Sequence, residues 1–209
     1  MNVTKYEHAC FTVEKDTQVI VVDPGAFTTD FIAPSDVVAI IITHEHSDHF
    51  DAELISAIID KNPEAVIIGD SSITNQIEAF ETMPVSAMDT LEVGPFHLEF
   101  FGGQHAAIHD GIPTPPNLGV MIDELLYYPG DSFFVPEDHS VDTLALPVAA
   151  PWLKISEAMD FLTAIHPRIA FPTHDAILSS TGKDLVDRMI NDVASANDIL
   201  YLRDTSFVV

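Results

Sequence analysis

The spacing of apolar and polar positions divides the chain into short alternating elements. The unbroken apolar run Val37-Val38-Ala39-Ile40-Ile41-Ile42 predicts a strand buried on both faces. It leads into Thr43-His44-Glu45-His46-Ser47-Asp48-His49, after which 51–60 has helical spacing. Shorter runs predict strands over 3–6, 10–15, 17–22, 65–69, 143–148 and 169–171. Hairpins are expected from 91–93 with 96–101, across Gly94-Pro95, and from 118–122 with 125–128. Ser71 or Ser72 is placed to cap a helix reaching about Phe80, with Ile73, Ile77 and Phe80 on one face. Ser156 is placed to cap a second, carrying Ala158, Phe161, Leu162 and Ile165, and 182–196 reads as a third. Strands over 199–202 and 206–209 close the chain. The order, strands with interspersed helices and then a similar second set, indicates an α/β fold without a residue-level repeat.

Composition narrows the class. A chain of 209 residues with 47% hydrophobic positions is most simply one domain, 1–209, with a sizeable core. No segment approaches the roughly 20 apolar residues needed to span a bilayer. The opening Met1-Asn2-Val3-Thr4-Lys5-Tyr6 lacks a signal-peptide pattern, and one cysteine excludes an internal disulfide, so a cytoplasmic location is expected. Eight Lys+Arg against 33 Asp+Glu give a formal net charge of −25. That field disfavours nucleic acid and anionic membranes and leaves a small-molecule substrate as the expected partner. Homo-oligomerisation is left open.

The chemistry concentrates after the 37–42 strand. His44, His46, Asp48 and His49 supply three imidazoles and a carboxylate within six residues. Imidazole nitrogen and carboxylate oxygen suit zinc, and also manganese and iron. In extended backbone His44 and His46 point the same way and converge on one ion. The turn then swings Asp48 and His49 toward a second. A single histidine there would read as part of a solvated loop; this density does not.

The pattern H-x-H-x-D-H resembles the signature of the metallo-β-lactamase superfamily of metal-dependent hydrolases. Further landmarks follow in that family's order: His105 after a strand, Asp131 in Tyr-Pro-Gly-Asp-Ser, and His174 in Phe-Pro-Thr-His-Asp. Glu7-His8-Ala9 is similar to the Gly-His-Ala entry of the branch containing L-ascorbate-6-phosphate lactonase, with Glu7 in place of glycine. The resemblance implies a four-layer αβ/βα sandwich, with two mixed β-sheets flanked by helices. It implies two divalent metal ions, zinc first and manganese or iron as alternatives. His44, His46 and His105 would hold one ion, Asp48, His49 and His174 the other, with Asp131 between them. A hydroxide bridging the ions would attack an ester, lactone or phosphodiester bond, with Asp48 taking up a proton or orienting the nucleophile. His8 would sit near the metals as a catalytic or substrate-facing group; Asp23 either supports the metal loop, as its counterpart in the family does, or caps its own turn.

Asp131 stands where the β-lactam-hydrolysing branch has cysteine. His46 stands where the flavodiiron oxygen reductases have glutamate. Three other residues are candidate substrate contacts: His109 in a proline-rich loop, and Trp152 and Lys154 in Ala150-Pro151-Trp152-Leu153-Lys154. His97, His139 and His166 are assigned structural roles, and Cys10 a place in the core. The competing readings are a metal-binding sensor module without turnover and a di-iron redox protein. An amidohydrolase barrel is disfavoured because that fold typically needs about 250 residues.

Overall fold

The apolar runs pair into two mixed sheets of seven strands each. The structure, a computed structural model, describes residues 1–203 and 206–209. In the first sheet β1 (Asn2–Lys5), β2 (Phe11–Lys15), β3 (Gln18–Val22), β4 (Val37–Ile42), β5 (Val66–Gly69) and β6 (Thr82–Pro84) lie in chain order. The second sheet likewise runs β7 (Thr90–Val93), β8 (Phe96–Gly102), β9 (Leu118–Ile122), β10 (Leu126–Tyr128), β11 (Thr143–Pro147), β12 (Ile169–Thr173) and β13 (Leu200–Tyr201). The last strand, β14 (Ser206–Val208), crosses back and pairs antiparallel with β1. Each sheet starts as an antiparallel meander and changes to parallel pairing, at β3–β4 in one and β10–β11 in the other.

Parallel neighbours need crossovers; loops make those of β3–β4 and β10–β11, and helices make the others. Among these, α1 (Ala52–Lys61) joins β4 to β5, α2 (Ser71–Thr74) joins β5 to β6, α3 (Ile155–Ile165) joins β11 to β12, and α4 (Ser180–Ala196) joins β12 to β13. Strand alternation then sorts side chains into three apolar layers. Phe11, Val13, Ile20, Val22, Phe100 and Val120 face inward between the sheets. Val19, Val21, Ile40 and Ile42 face outward onto Ile55, Ile58 and Ile59 of α1. On the far side Met121, Leu144 and Leu146 meet Phe161 and Leu162 of α3 and Ile190 and Ala194 of α4. Each fully buried side chain of this size contributes about 1.5–3 kcal/mol. The result is the four-layer αβ/βα sandwich that the family resemblance implies.

Four elements depart from the expectations. The 71–80 helix stops at Thr74, and its cap is Asp70, whose carboxylate accepts from the Ser72 N–H at 2.8 Å. Ile77 and Phe80 still pack against the first sheet's outer layer, so the apolar spacing reports burial without helix. The strand β6 that follows was not expected from the sequence. It has only three residues and ends in Pro84, which is tolerated at the outer position it takes. In α3 the cap position is Lys154, whose N–H donates to Glu157 Oε2 at 2.9 Å, rather than Ser156. Helix α4 begins at Ser180, with Ser179 as its cap, slightly before the expected start.

The C-terminal ends of β3, β4, β8, β10 and β12 gather along one rim. A hydrogen bond from Leu118 N–H to Thr43 O, 3.0 Å, joins the two sheets there.

Candidate metal centre

The loop after β4 is shaped by the end of β3. Asp23 Oδ1 accepts from Thr43 N–H at 2.8 Å, and Oδ2 accepts from Thr43 Oγ1 at 2.7 Å. Asp23 Oδ2 also lies 2.7 Å from His49 Nδ1. One buried carboxylate thus fixes both ends of the metal-motif loop. Pro24 to Ala26 pack directly beneath it: Ala26 N–H donates to Ser47 O at 2.8 Å and Asp51 N–H to Pro24 O at 3.2 Å. A Cβ on Gly25 would lie 1.9 Å from Asp48 O, so only glycine allows this approach. Asp51 caps α1, accepting from Leu54 N–H at 2.9 Å, which ends the loop.

The remaining candidates arrive from the second sheet. His105 follows the Gly102-Gly103 end of β8, and His174 follows β12 in a left-handed conformation, φ 60°. Asp131 follows β10 on a turn that Asn117 clamps. The Asn117 amide donates to Pro129 O at 2.9 Å and accepts from Asp131 N–H at 2.9 Å. Gly130 in that turn has φ 62°, and a Cβ there would meet Asn117 Oδ1 at 2.3 Å. Asn117 is a supporting residue that the sequence did not single out.

The side chains assemble into two groups, His44, His46, His105 and Asp131, and His8, Asp48, His49 and His174. Within each group the donor atoms lie within 4.8 Å of one another. Asp131 reaches both: Oδ1 is 3.3 Å from His49 Nε2, while Oδ2 is 3.0 Å from His174 Nε2 and 3.3 Å from His105 Nε2.

These residues fit metal ions. Nε2 of His49, His105 and His174 and Oδ1 of Asp131 are buried without a conventional hydrogen-bond partner, an arrangement that is costly unless something binds there. The outer nitrogens explain how they are aimed. His105 Nδ1 lies 2.6 Å from Ala106 O, and His174 Nδ1 lies 2.6 Å from Ala149 O. A carbonyl can only accept, so each Nδ1 carries the proton and each Nε2 lone pair turns inward. His49, donating to Asp23, follows the same rule.

Electrostatics show how the centre balances itself without an ion. Burial works against an ionised Asp131, yet His49 and His174 hold its carboxyl well below the usual range. Burial also opposes charge on His49, but Asp131 and Asp23 raise its pKa well above that of an ordinary imidazole. Against the same burial, Asp131 and Asp48 push His174 up to about 9. His44 and His46 are lowered, first by burial and then by neighbouring imidazoles. Protons on His49 and His174 therefore stand where metal charge would otherwise be. Zinc added to chelator-treated protein at pH 7 is expected to release protons, because ligand imidazoles must be neutral. Apparent affinity should fall as the pH drops further below about 9, where the proton on His174 competes. A pH indicator in weak buffer reads the release, and zinc uptake without it would contradict this charge assignment.

His8 is held against the second group. Ala176 N–H donates to His8 Nδ1 at 3.3 Å, so the His8 proton sits on Nε2, which lies 2.9 Å from Asp48 Oδ2. His8 is thereby a donor to Asp48, not a lone pair offered to an ion. Asp48 itself is 19% exposed at its side chain and lines the cleft above the centre. Burial opposes its ionisation, but the His174 imidazole, 3.3 Å away, and the hydrogen bond from His8 lower its pKa.

The cleft has a volume of about 250 Å³ and is walled by His46, Ser47, Ile108, Pro151 and Trp152. Trp152 lines it and donates its indole N–H to Asp131 Oδ2 at 2.8 Å. His109 is exposed, with Nδ1 accepting from Gly111 N–H at 3.0 Å, and its neighbour Ile108 faces the cleft instead. Lys154 is exposed at the start of α3, outside the cleft lining. His97 and His139 lie apart from the centre, beside Glu92 and Glu99, and His166 ends α3 with φ 51°. Cys10 is fully buried.

The chain matches the family profile described as a beta-lactamase superfamily domain over residues 2–174, and it belongs to that superfamily. It is 35% identical over 191 residues to protein Rv0786c of Mycobacterium tuberculosis, covering 88% of this chain and 89% of that one. Two solved structures share the fold. One is a metal-dependent hydrolase, so described, from Parabacteroides distasonis, with TM-score 0.77 and 23% identity over 96% of this chain and 90% of that one. The other is Igni18, described as a metallo hydrolase of Ignicoccus hospitalis, with TM-score 0.76 and 18% identity over 100% of this chain and 98% of that one. No helix among the described residues is long and apolar enough to cross a membrane.

Proposed function

We propose that this chain is a dinuclear metal-dependent hydrolase acting on an uncharged carboxylic ester or lactone of a small molecule. The observation that carries this reading is the position of Asp131 between two donor groups at the floor of an open cleft. Two divalent ions, zinc first and manganese or iron as alternatives, would polarise the scissile carbonyl and bring a water pKa down to about 7. His44, His46 and His105 would hold one ion, and Asp48, His49 and His174 the other.

The protein's own groups supply the rest. Asp48, steered by the Nε2–H of His8, presents an ionised carboxylate that accepts a hydrogen bond from the attacking water. Ile108, Pro151 and the Trp152 ring give the substrate's apolar body a wall. The lining contains no lysine or arginine among the described residues. A separate phosphate monoester on the substrate would therefore lack a side-chain cation, in a chain already at −25. This favours a plain lactone or ester over a phosphorylated one.

The test is a hydrolysis panel on zinc-loaded, manganese-loaded and chelator-treated protein. It would contain neutral lactones, carboxylic esters, a phosphorylated sugar lactone, an activated phosphodiester and penicillins. Metal-dependent turnover is expected for neutral lactones or esters, with weak or absent turnover of penicillins. Fully loaded protein inert toward every compound would favour the binding-module reading. Efficient cleavage of penicillins alone would overturn the substrate assignment.

A further inference from the structure

The indole of Trp152 makes a contact that a cleft wall does not require. Its N–H donates to Asp131 Oδ2 at 2.8 Å, the oxygen that also lies nearest His174 Nε2 and His105 Nε2. The ring is seated edge-on against Phe133, with centroids 5.1 Å apart, and faces His105 at 6.1 Å. Packing therefore fixes the direction of the N–H, and the hydrogen bond fixes the rotation of the carboxylate. An indole N–H is a donor only and does not titrate in the accessible pH range. It cannot exchange roles with an ion or with solvent.

We propose that Trp152 is a positioning residue for the metal-bridging carboxylate, deciding which oxygen lone pairs Asp131 can offer. A carboxylate oxygen has about two lone-pair sites. With one on Oδ2 occupied by the indole, Oδ2 has a single site left. Oδ1, unpartnered and 3.3 Å from His49 Nε2, keeps both of its own. Oδ2 lies 3.3 Å from His105 Nε2 of one group and 3.0 Å from His174 Nε2 of the other, so the indole constrains the very oxygen that faces both groups, and more of the bridging would fall to Oδ1.

Trp152 is also the only tryptophan in the chain. Intrinsic emission thus reports this one contact, and replacing tryptophan throughout the chain changes this one side chain.

This inference rests on the two-ion reading of the centre but on no particular substrate. In the first experiment, zinc is titrated into chelator-treated protein while emission and bound zinc are followed together. Emission should shift in step with binding, up to two equivalents. Two equivalents bound with unchanged emission would overturn the role of Trp152 and leave the centre standing. Failure to bind zinc would overturn both.

The second experiment replaces Trp152 with β-(benzothiophen-3-yl)alanine, which keeps the shape of tryptophan but carries sulfur in place of the N–H. Trp152→Phe serves as the genetic counterpart. Loss of an outer hydrogen bond to a ligand typically weakens metal affinity 10–100-fold. At least a tenfold loss of retention against a chelator is expected for both replacements. Thermal stability of the isostere's metal-free form should be unchanged, which a merely structural role would not predict. An isosteric protein that holds both zinc ions as tightly as the parent would sink the proposal.

Discussion

Asp131→Asn is expected to lower hydrolysis by roughly a hundredfold or more and to leave fewer than two metal ions per chain. Asp131 is 2% exposed; its Oδ2 faces His105 of one donor group and His174 of the other, and its Oδ1 faces His49. The turn beneath it is held by Asn117 through backbone atoms, which the substitution does not touch. The asparagine oxygen would take the Trp152 N–H, since an amide nitrogen there would set donor against donor. Its amide nitrogen would then take the Oδ1 position, 3.3 Å from His49 Nε2, where an ion needs an oxygen. The substitution thus removes a charge and also fills the binding position with hydrogen atoms. Circular dichroism should be unchanged, because the apolar layers do not involve this carboxylate. His97→Gln is the control: His97 is a surface residue paired with Glu92 and should leave metal content intact. An Asp131→Asn protein that retains two tightly bound ions and near-normal turnover would show that Asp131 is not the bridge.

Gly25→Ala, beneath the metal loop, should be the most damaging single-methyl change to that loop's support. The new Cβ would fall 1.9 Å from Asp48 O, 2.0 Å from Asp48 C and 2.4 Å from His49 N. These are backbone atoms and cannot rotate aside. The 24–26 segment would have to withdraw, breaking the Ala26–Ser47 and Asp51–Pro24 hydrogen bonds and loosening the grip of Asp23 on Thr43 and His49. A loss of about 3 kcal/mol or more is expected, within the range for severe overpacking. For a chain of this size that lowers Tm by roughly 6–12 °C. The metal-free form measures the packing cost alone, and zinc retention measures displacement of Asp48 and His49. A Tm within one degree of the parent would mean that the loop has room the structure does not show.

The sequence revealed the rim better than its supports. The run 37–42 was legible because a strand buried on both faces leaves an unbroken apolar stretch. The histidine cluster after it was legible because solvated loops rarely concentrate imidazole so densely. His105, Asp131 and His174 were located through the family pattern, since no local spacing ties them to residue 44. Asn117 went unnoticed because a loop asparagine looks alike whether it is solvated or clamps a turn 14 residues away. The partner of Trp152 was hidden for the same reason. The periodicity of Ile73, Ile77 and Phe80 misled because burial recurring every three or four residues need not be helical. Asp23 could have served its own turn or the metal loop, and only the fold brought Thr43 and His49 to it.

The two donor groups draw on both sheets. His44, His46, Asp48 and His49 follow β4 in one; His105, Asp131 and His174 follow β8, β10 and β12 in the other. Ions bound there would act as clasps along the open edge of the sandwich, closing chain loops from residue 44 to residue 174 without a covalent bond. Emptying the centre would leave the inter-sheet core intact but release the edge, so local opening would begin there. Proteolysis often tracks the population of opened forms. Metal supply would then govern how long each molecule survives as well as how fast it works.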